Sequence, residues 1–117
     1  PDLVLITGDV IDGTPEKRQR DIRPFKQLKT PDGVWVSLGN HEYYSELNEW
    51  LKVFEELNLP VLANENIRIQ RESEEIVIAA ITDITAERFG EEMPDIDKAL
   101  ANTSEEDMII LTEKDFV

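Results

Sequence analysis

Two short apolar segments, each ended by a glycine and followed at once by polar residues, constrain most strongly what this chain can fold into. They are residues 3–7 (LVLIT) and residues 34–38 (VWVSL), and Gly8 and Gly39 end them. Continuous apolar, β-branched runs of this length are typical of strands buried on both faces, as in a parallel sheet. Because ligands of open α/β sheets bind beyond the carboxyl ends of the strands, the residues after these two glycines are the first candidates for a functional site.

Helical patterns separate and follow these two segments. Residues 16–29 indicate mainly helix, and we expect a second helix to start near Pro24, since proline is tolerated in a first helical turn. Ser45 is a candidate N-cap for a later helix. An apolar stripe at helical spacing follows it: Leu47, Trp50, Leu51, Phe54 and Leu57. This stripe predicts a helix packed on the core, with Trp50 in a packing role.

The second half of the chain predicts a different arrangement. Residues 60–63 form a short strand, residues 67–70 and 76–81 a hairpin, residues 94–100 a short helix and residues 108–111 a last buried strand. The alternation of strands and helices argues for an α/β layered architecture, and the hairpin makes its sheet mixed.

The amino-acid composition limits the classes of function that this chain can have. A chain of 117 residues suits one small domain or part of a larger one. The absence of cysteine excludes disulfides, a thiolate zinc site and a cysteine nucleophile, and it is compatible with the cytosol. No apolar run reaches the roughly 20 residues of a membrane span. Because Pro1 leads directly into an apolar segment, we expect the sequence to be a segment of a longer protein.

The formal net charge of −14 disfavours nucleic acid and anionic membranes as partners. Half of the twelve basic residues stand within residues 17–29. This basic stretch is best interpreted as a solvated helix face, and the alternative is a patch that meets an anionic headgroup or substrate. An anionic ligand would meet repulsion unless bound cations reversed the local sign of the charge.

The residues after the two glycines suit a metal site. If the two strands are neighbours, Asp9, Asn40 and His41 converge. Carboxylate, amide and imidazole ligands together suit Mn²⁺, Fe or Zn²⁺. A carboxylate can bridge two cations, and two cations roughly 3.5–4 Å apart can clamp a phosphoryl oxygen. Gly8 and Gly39 would let the backbone turn sharply and approach a ligand closely.

Each of these residues also has a plain alternative. Asp9 could cap the following helix, Asp12 before Gly13 could serve a turn, and His41 could be an exposed loop residue. The plain alternative is favoured for each residue alone, whereas the two motifs in combination favour a metal site.

The two motifs resemble blocks of the calcineurin-like metallophosphoesterase family. Residues 8–12 (GDVID) are similar to its Gly-Asp-x-x-Asp block, and residues 39–42 (GNHE) to its Gly-Asn-His-Glu block. The strands that lead into both blocks resemble those of the family as well. Tyr43-Tyr44, the helix around Trp50 and residues 60–65 (PVLANE) resemble a bacterial branch of single-domain, often membrane-associated phosphodiesterases.

The resemblance implies a four-layer αββα sandwich that hydrolyses a phosphomonoester or phosphodiester with two divalent metal ions. By it, Asp9 bridges both metals, Asn40 binds the second metal, and His41 contacts the phosphate and assists the leaving group. Asp12 has a supporting role, and Glu42 orients His41 or shapes its loop. The parent would lie in the cytoplasm or on the cytoplasmic face of the membrane.

The sequence departs from the family pattern at both ends. The family's Asp-x-His block would precede Pro1, and neither its Gly-His-x-His block nor its histidine near Glu113 is present. We therefore expect residues 1–117 to be a partial domain that supplies part of the site. Alone it should bind one metal weakly or none, show little activity, and self-associate through uncovered sheet edges.

Two other hypotheses remain open. A non-catalytic relative would keep the motifs to bind a phosphate or a partner, and the lack of a histidine near Glu113 favours it. An ordinary acidic α/β domain with chance motifs is less favoured, because both blocks follow apolar strands in the order that the family requires.

Overall fold

Within residues 2–8, 13–44 and 46–112, which the computed structural model describes, the strands form two three-stranded sheets. The first sheet is parallel throughout, in the order β1 (Val4–Ile6), β2 (Val34–Ser37), β3 (Val61–Leu62). The second has the order β4 (Glu65–Arg71), β5 (Glu74–Ala80), β6 (Met108–Thr112). In it β4 pairs with β5 antiparallel and β5 pairs with β6 parallel, so the predicted mixed pairing lies in this second sheet.

The same described ranges contain four α-helices and two 3₁₀ helices. The α-helices are α1 (Pro15–Ile22), α2 (Asn40–Tyr44), α3 (Leu47–Glu56) and α4 (Ile96–Ala99). The 3₁₀ helices are Arg23–Gln27 and Ile84–Phe89. Pro24 stands in the first turn of the first 3₁₀ helix, where its missing N–H costs no helical hydrogen bond, so the predicted helix start near this residue is confirmed.

Helices pack against one face of the parallel sheet, and the second sheet packs against its other face. Because side chains alternate along a strand, Val36 of β2 faces the helices, where Trp50 and Phe54 are 1% exposed. Trp35, next to Val36, faces the second sheet together with Ile78. This alternation gives the layer order helices, parallel sheet, mixed sheet.

The outer face of the mixed sheet is covered as well. Ala79 of β5 is fully buried, and Asn66 of β4 lies opposite it on the same face. The Asn66 side chain donates hydrogen bonds to the carbonyls of Ala99 and Ala101, at the end of α4 and just beyond it. The polypeptide around α4 therefore forms a fourth layer, and the predicted α/β sandwich class is confirmed.

The prediction that the last strand is buried is wrong. Met108 is 68% exposed and Leu111 42%, because β6 has a partner strand on one side only within the described residues. An apolar strand sequence does not distinguish a central strand from an edge strand. Ser45, the predicted N-cap, lies outside the described residues. Glu46 precedes α3 instead, with a left-handed φ of 64° and no side-chain capping bond.

The buried side chain of Asn64 fastens the segment that follows β5 to the end of β3. Its Oδ1 accepts hydrogen bonds from the backbone N–H groups of Thr82 (3.2 Å) and Asp95 (3.0 Å). Its Nδ2 donates to the carbonyl of Met93 at 2.8 Å. Asn64 also has a left-handed φ of 52°, which asparagine tolerates better than most residues.

We expect Asn64→Ala to lower the free energy of unfolding by about 2–3 kcal/mol, because it leaves buried backbone groups without partners. Asn58→Ala is the matched control: Asn58 has a similar φ of 57° but is exposed, so its replacement tests the backbone strain alone. Urea denaturation of both variants measures the difference. Equal losses for the two variants would contradict a stabilising role for the buried hydrogen bonds of Asn64.

Candidate functional site

The two glycines that end β1 and β2 lie against each other. The strands are neighbours, with Ile6 opposite Val36, as the sequence predicts. Gly8 has a φ of +91°, and a Cβ added to it would lie 2.5 Å from the backbone nitrogen of Gly39 and 2.8 Å from its Cα. Only glycine combines this backbone conformation with so close an approach. The two candidate motifs therefore start from backbone positions in direct contact.

Several predicted site atoms are not among those described. Asp9 and Asp12 lie outside the described residues, as do the side chains of Asn40 and His41, whose backbone begins α2. In the part of the chain that the structure describes, no three His, Cys, Asp or Glu side chains are grouped so that they could hold a metal. The metal and catalytic roles of Asp9, Asn40 and His41 therefore stay predictions, and the backbone contact of Gly8 and Gly39 is what the structure contributes to them.

Glu42 shapes the start of α2. It is 1% exposed, and its Oε1 accepts a hydrogen bond from the backbone N–H of Gly39 at 2.9 Å. This is one half of a capping box, in which an acidic residue at the third helical position satisfies the N–H of the N-cap residue. The contact explains why the residues after Gly39 form a helical turn where the sequence predicted a loop. The role predicted for Glu42 next to His41 stays a prediction, because the His41 side chain lies outside those described.

Trp50 holds the other end of the first motif. Its indole Nε1 donates to the carbonyl of Gly13 at 3.0 Å, and its ring stacks on Phe54 with centroids 5.9 Å apart. The predicted packing role of Trp50 is thus confirmed, and the hydrogen bond is an additional role. The segment from Gly8 to Gly13 is anchored at both ends, by Gly39 on one side and by the helix layer on the other.

Tyr43 joins α2 to the end of β5. It is 3% exposed and packs in the same core cluster as Ala86, which lies in the segment after β5. Burial, and then the Asp83 and Glu91 carboxylates, raise the pKa of Tyr43 to about 12, so the hydroxyl is protonated at neutral pH. These contacts make the segment after β5 a wall next to α2.

Asp83 fixes the start of the segment that follows β5. It is 1% exposed, and its Oδ1 accepts a hydrogen bond from the backbone N–H of Thr85 at 2.8 Å, which caps the 3₁₀ helix Ile84–Phe89. Sequence reasoning missed this residue. The available signal was that Asp83 follows the apolar run of β5 in the same way that polar residues follow β1 and β2.

Comparison with known proteins decides the family. A sequence model of the calcineurin-like phosphoesterases matches residues 1–113. This chain belongs to the calcineurin-like phosphoesterase family. Members of the family use divalent metal ions and act on phosphate esters, so the family assignment agrees with the chemistry of the two motifs.

Named relatives of this chain occur in bacteria and animals. An uncharacterized metallophosphoesterase of Helicobacter pylori is 36% identical over 94% of this chain and 29% of its own length. A transmembrane protein with metallophosphoesterase domain of Bos taurus is 33% identical over 95% of this chain and 27% of its own length. An uncharacterized metallophosphoesterase of Aquifex aeolicus is 33% identical over 77% of this chain and 33% of its own length.

The chain thus spans a third or less of the length of these curated relatives. One relative is named as a transmembrane protein, whereas no helix in the described ranges of this chain has the length and apolarity needed to cross a bilayer.

Gly8→Ala should destabilise the phosphoesterase fold far more than Gly90→Ala. Both glycines have positive φ, +91° and +67°, but an added Cβ meets the Gly39 backbone at the first position and nothing within 4 Å at the second. We expect a loss of about 3 kcal/mol or more at Gly8 and about 1 kcal/mol at Gly90 in chemical denaturation. A smaller loss at Gly8 than at Gly90 would show that the glycine contact does not constrain the fold.

Trp50→Phe should loosen the first motif. The variant loses the hydrogen bond to Gly13 and leaves a void in the core, and we expect it to lower the free energy of unfolding by about 2–3 kcal/mol. Trp35→Phe is the matched control, because Trp35 Nε1 donates to the carbonyl of Asp32, three residues away, at the same distance of 3.0 Å. Only Trp50→Phe should speed amide hydrogen exchange in residues 8–14, measured by mass spectrometry. Similar exchange in both variants would contradict the anchoring role.

Proposed function

We propose that the full-length parent of this chain hydrolyses a phosphomonoester or phosphodiester with two divalent metal ions, and that this chain supplies part of the site. The single observation that carries the proposal is the backbone contact of Gly8 and Gly39. It starts the segments that bear Asp9 and Asn40 from one point at the carboxyl edge of the parallel sheet. The family match over residues 1–113 supports the same chemistry.

The residues present fit the metals that the family uses. Asp9 would hold both ions through its carboxylate and Asn40 the second ion through its amide oxygen, a ligand set that suits Mn²⁺, Fe or Zn²⁺. When bound, the ions supply Lewis-acid activation of the phosphoryl group. The space that a Cβ at Gly8 would fill supports this fit, because a side chain there would push the two ligand-bearing segments apart.

The chain's other motif residues act around the phosphate. His41 would contact a phosphate oxygen and donate a proton to the leaving oxygen, because imidazole titrates near neutrality. Asp12 would support the first motif. Glu42, by accepting the N–H of Gly39, would fix the backbone from which Asn40 and His41 project.

We propose further that the isolated chain contributes only part of this activity. It spans 29% of the Helicobacter pylori relative, which supports a longer parent whose other segments complete the ligand set. Alone, the chain would bind one ion weakly or none and turn over little substrate. The exposed apolar side chains Met108, Ile110 and Leu111 on β6 support self-association of the isolated chain. The name of the Bos taurus relative supports a membrane-associated parent, with this domain in the cytoplasm or on the cytoplasmic face of the membrane.

The test is hydrolysis of bis-p-nitrophenyl phosphate by the full-length parent with added Mn²⁺. We expect His41→Ala to lower kcat by about 100-fold or more, since the loss of a general acid typically costs that much. Asn40→Ala should weaken both Mn²⁺ binding and turnover. Asn58→Ala, an exposed asparagine at the end of α3, is the control that should leave both unchanged.

Two results would contradict the proposal. Turnover that persists in Asn40→Ala and His41→Ala would place the chemistry elsewhere. A parent that binds inorganic phosphate but hydrolyses no ester with Mn²⁺ would favour the non-catalytic hypothesis.

A further inference from the structure

Two exposed aromatic rings lie beside the candidate site. Tyr44 follows Asn40 by four residues in α2, so the two positions share one helix face a single turn apart. Tyr44 is 51% exposed and Phe89 is 44% exposed. Their rings meet edge to face, with centroids 5.6 Å apart and an interplanar angle of 80°. This pair presents aromatic surface to solvent next to the position where a phosphate ester would be held.

The cleft that these rings line is acidic. It is open to solvent, encloses about 530 Å³, and includes Tyr43, Tyr44 and Phe89. Every charged residue that lines it among those described is a glutamate: Glu46, Glu49 and Glu91. Two basic groups lie at its edge, since Lys52 Nζ is 3.5 Å from Glu49 Oε1 and Arg88 donates to the Tyr44 hydroxyl at 3.2 Å. The three carboxylates of the lining outnumber these two cations.

We propose that this cleft recognises a positively charged ester group, a quaternary or alkyl ammonium, on a phosphodiester whose phosphate lies at Asn40 and His41. The faces of Tyr44 and Phe89 attract a cation through their quadrupoles, and Glu46, Glu49 and Glu91 add favourable charge. The same carboxylates repel a second phosphate or a carboxylate on the substrate. The proposal rests on the proposed function and specifies the class of substrate for that site.

The experiment compares two esters of the same shape. The full-length parent with Mn²⁺ is given p-nitrophenyl phosphocholine or p-nitrophenyl 3,3-dimethylbutyl phosphate, in which a neutral carbon replaces the ammonium nitrogen, and p-nitrophenolate release is measured. We expect kcat/KM to be about fivefold to tenfold higher for the choline ester. This is the size of effect expected for a cation held over aromatic rings. Equal values, or a preference for the neutral ester, would overturn the proposal and assign the cleft to an uncharged apolar group.

Variants of the residues that line the cleft test whether these residues cause the preference for the choline ester. Phe89→Leu removes an aromatic face and Glu91→Gln removes one charge at nearly constant shape. Each should reduce the ratio of the two kcat/KM values to about twofold or less, because the choline ester loses more than the neutral ester does. Tyr44→Phe keeps the ring and should keep the ratio.

Glu106→Gln is the control for overall charge. Glu106 lines a separate cleft with Asp2 and Met108, at the opposite end of the strands, so its loss should leave the ratio unchanged. Equal losses on both esters in Phe89→Leu and Glu91→Gln would mean that these residues serve the fold alone, and would overturn the proposal. If the unmodified parent hydrolyses neither these esters nor bis-p-nitrophenyl phosphate, the proposed function itself fails, which separates the two cases.

Discussion

The contact between the backbones of Gly8 and Gly39 is the constraint on which the site depends. Adjacent strands lie about 4.8 Å apart, and the segments beyond their ends usually diverge to make room for side chains. Here neither residue carries a Cβ, so the two segments leave the sheet while still in contact. Glycine costs conformational entropy in such places, so the surrounding structure has to hold both segments in position.

That support comes from two layers of the fold. The helix layer holds the far end of the first motif through the Trp50 indole on Gly13. Within the second motif, Glu42 satisfies the N–H of Gly39 and so starts α2 directly at the strand end. The segment that follows β5 contributes from the other side, since Tyr43 packs in one core cluster with Ala86 of that segment. Asn64 in turn fastens that segment. The site is therefore supported by hydrogen bonds that connect distant parts of the chain.

Sequence reasoning succeeded where the signals are local. The strands before Gly8 and Gly39, the hairpin and the stripe of α3 follow from periodicity and from turn residues, and the structure contains all of them. Sequence reasoning failed for features that depend on contacts between residues far apart in the chain. The exposure of β6 depends on what lies beside an edge strand. The bond from Trp50 to Gly13 joins residues 37 positions apart, which no local pattern reveals. The helical turn of α2 was missed because glycine, rather than serine or threonine, takes the N-cap position of its capping box.

The negative charge of the chain opposes the approach of an anionic substrate to the proposed site. With a formal net charge of −14, the protein repels a free phosphate ester at most distances. Bound metal ions would reverse the sign only locally, at the phosphate itself. A substrate whose other ester group is cationic carries no net charge and meets no such barrier on approach. The acidic cleft beside α2 would then attract the group that the metals do not bind, so carboxylates and aromatic rings would orient the ester while the metal ligands hold its phosphate.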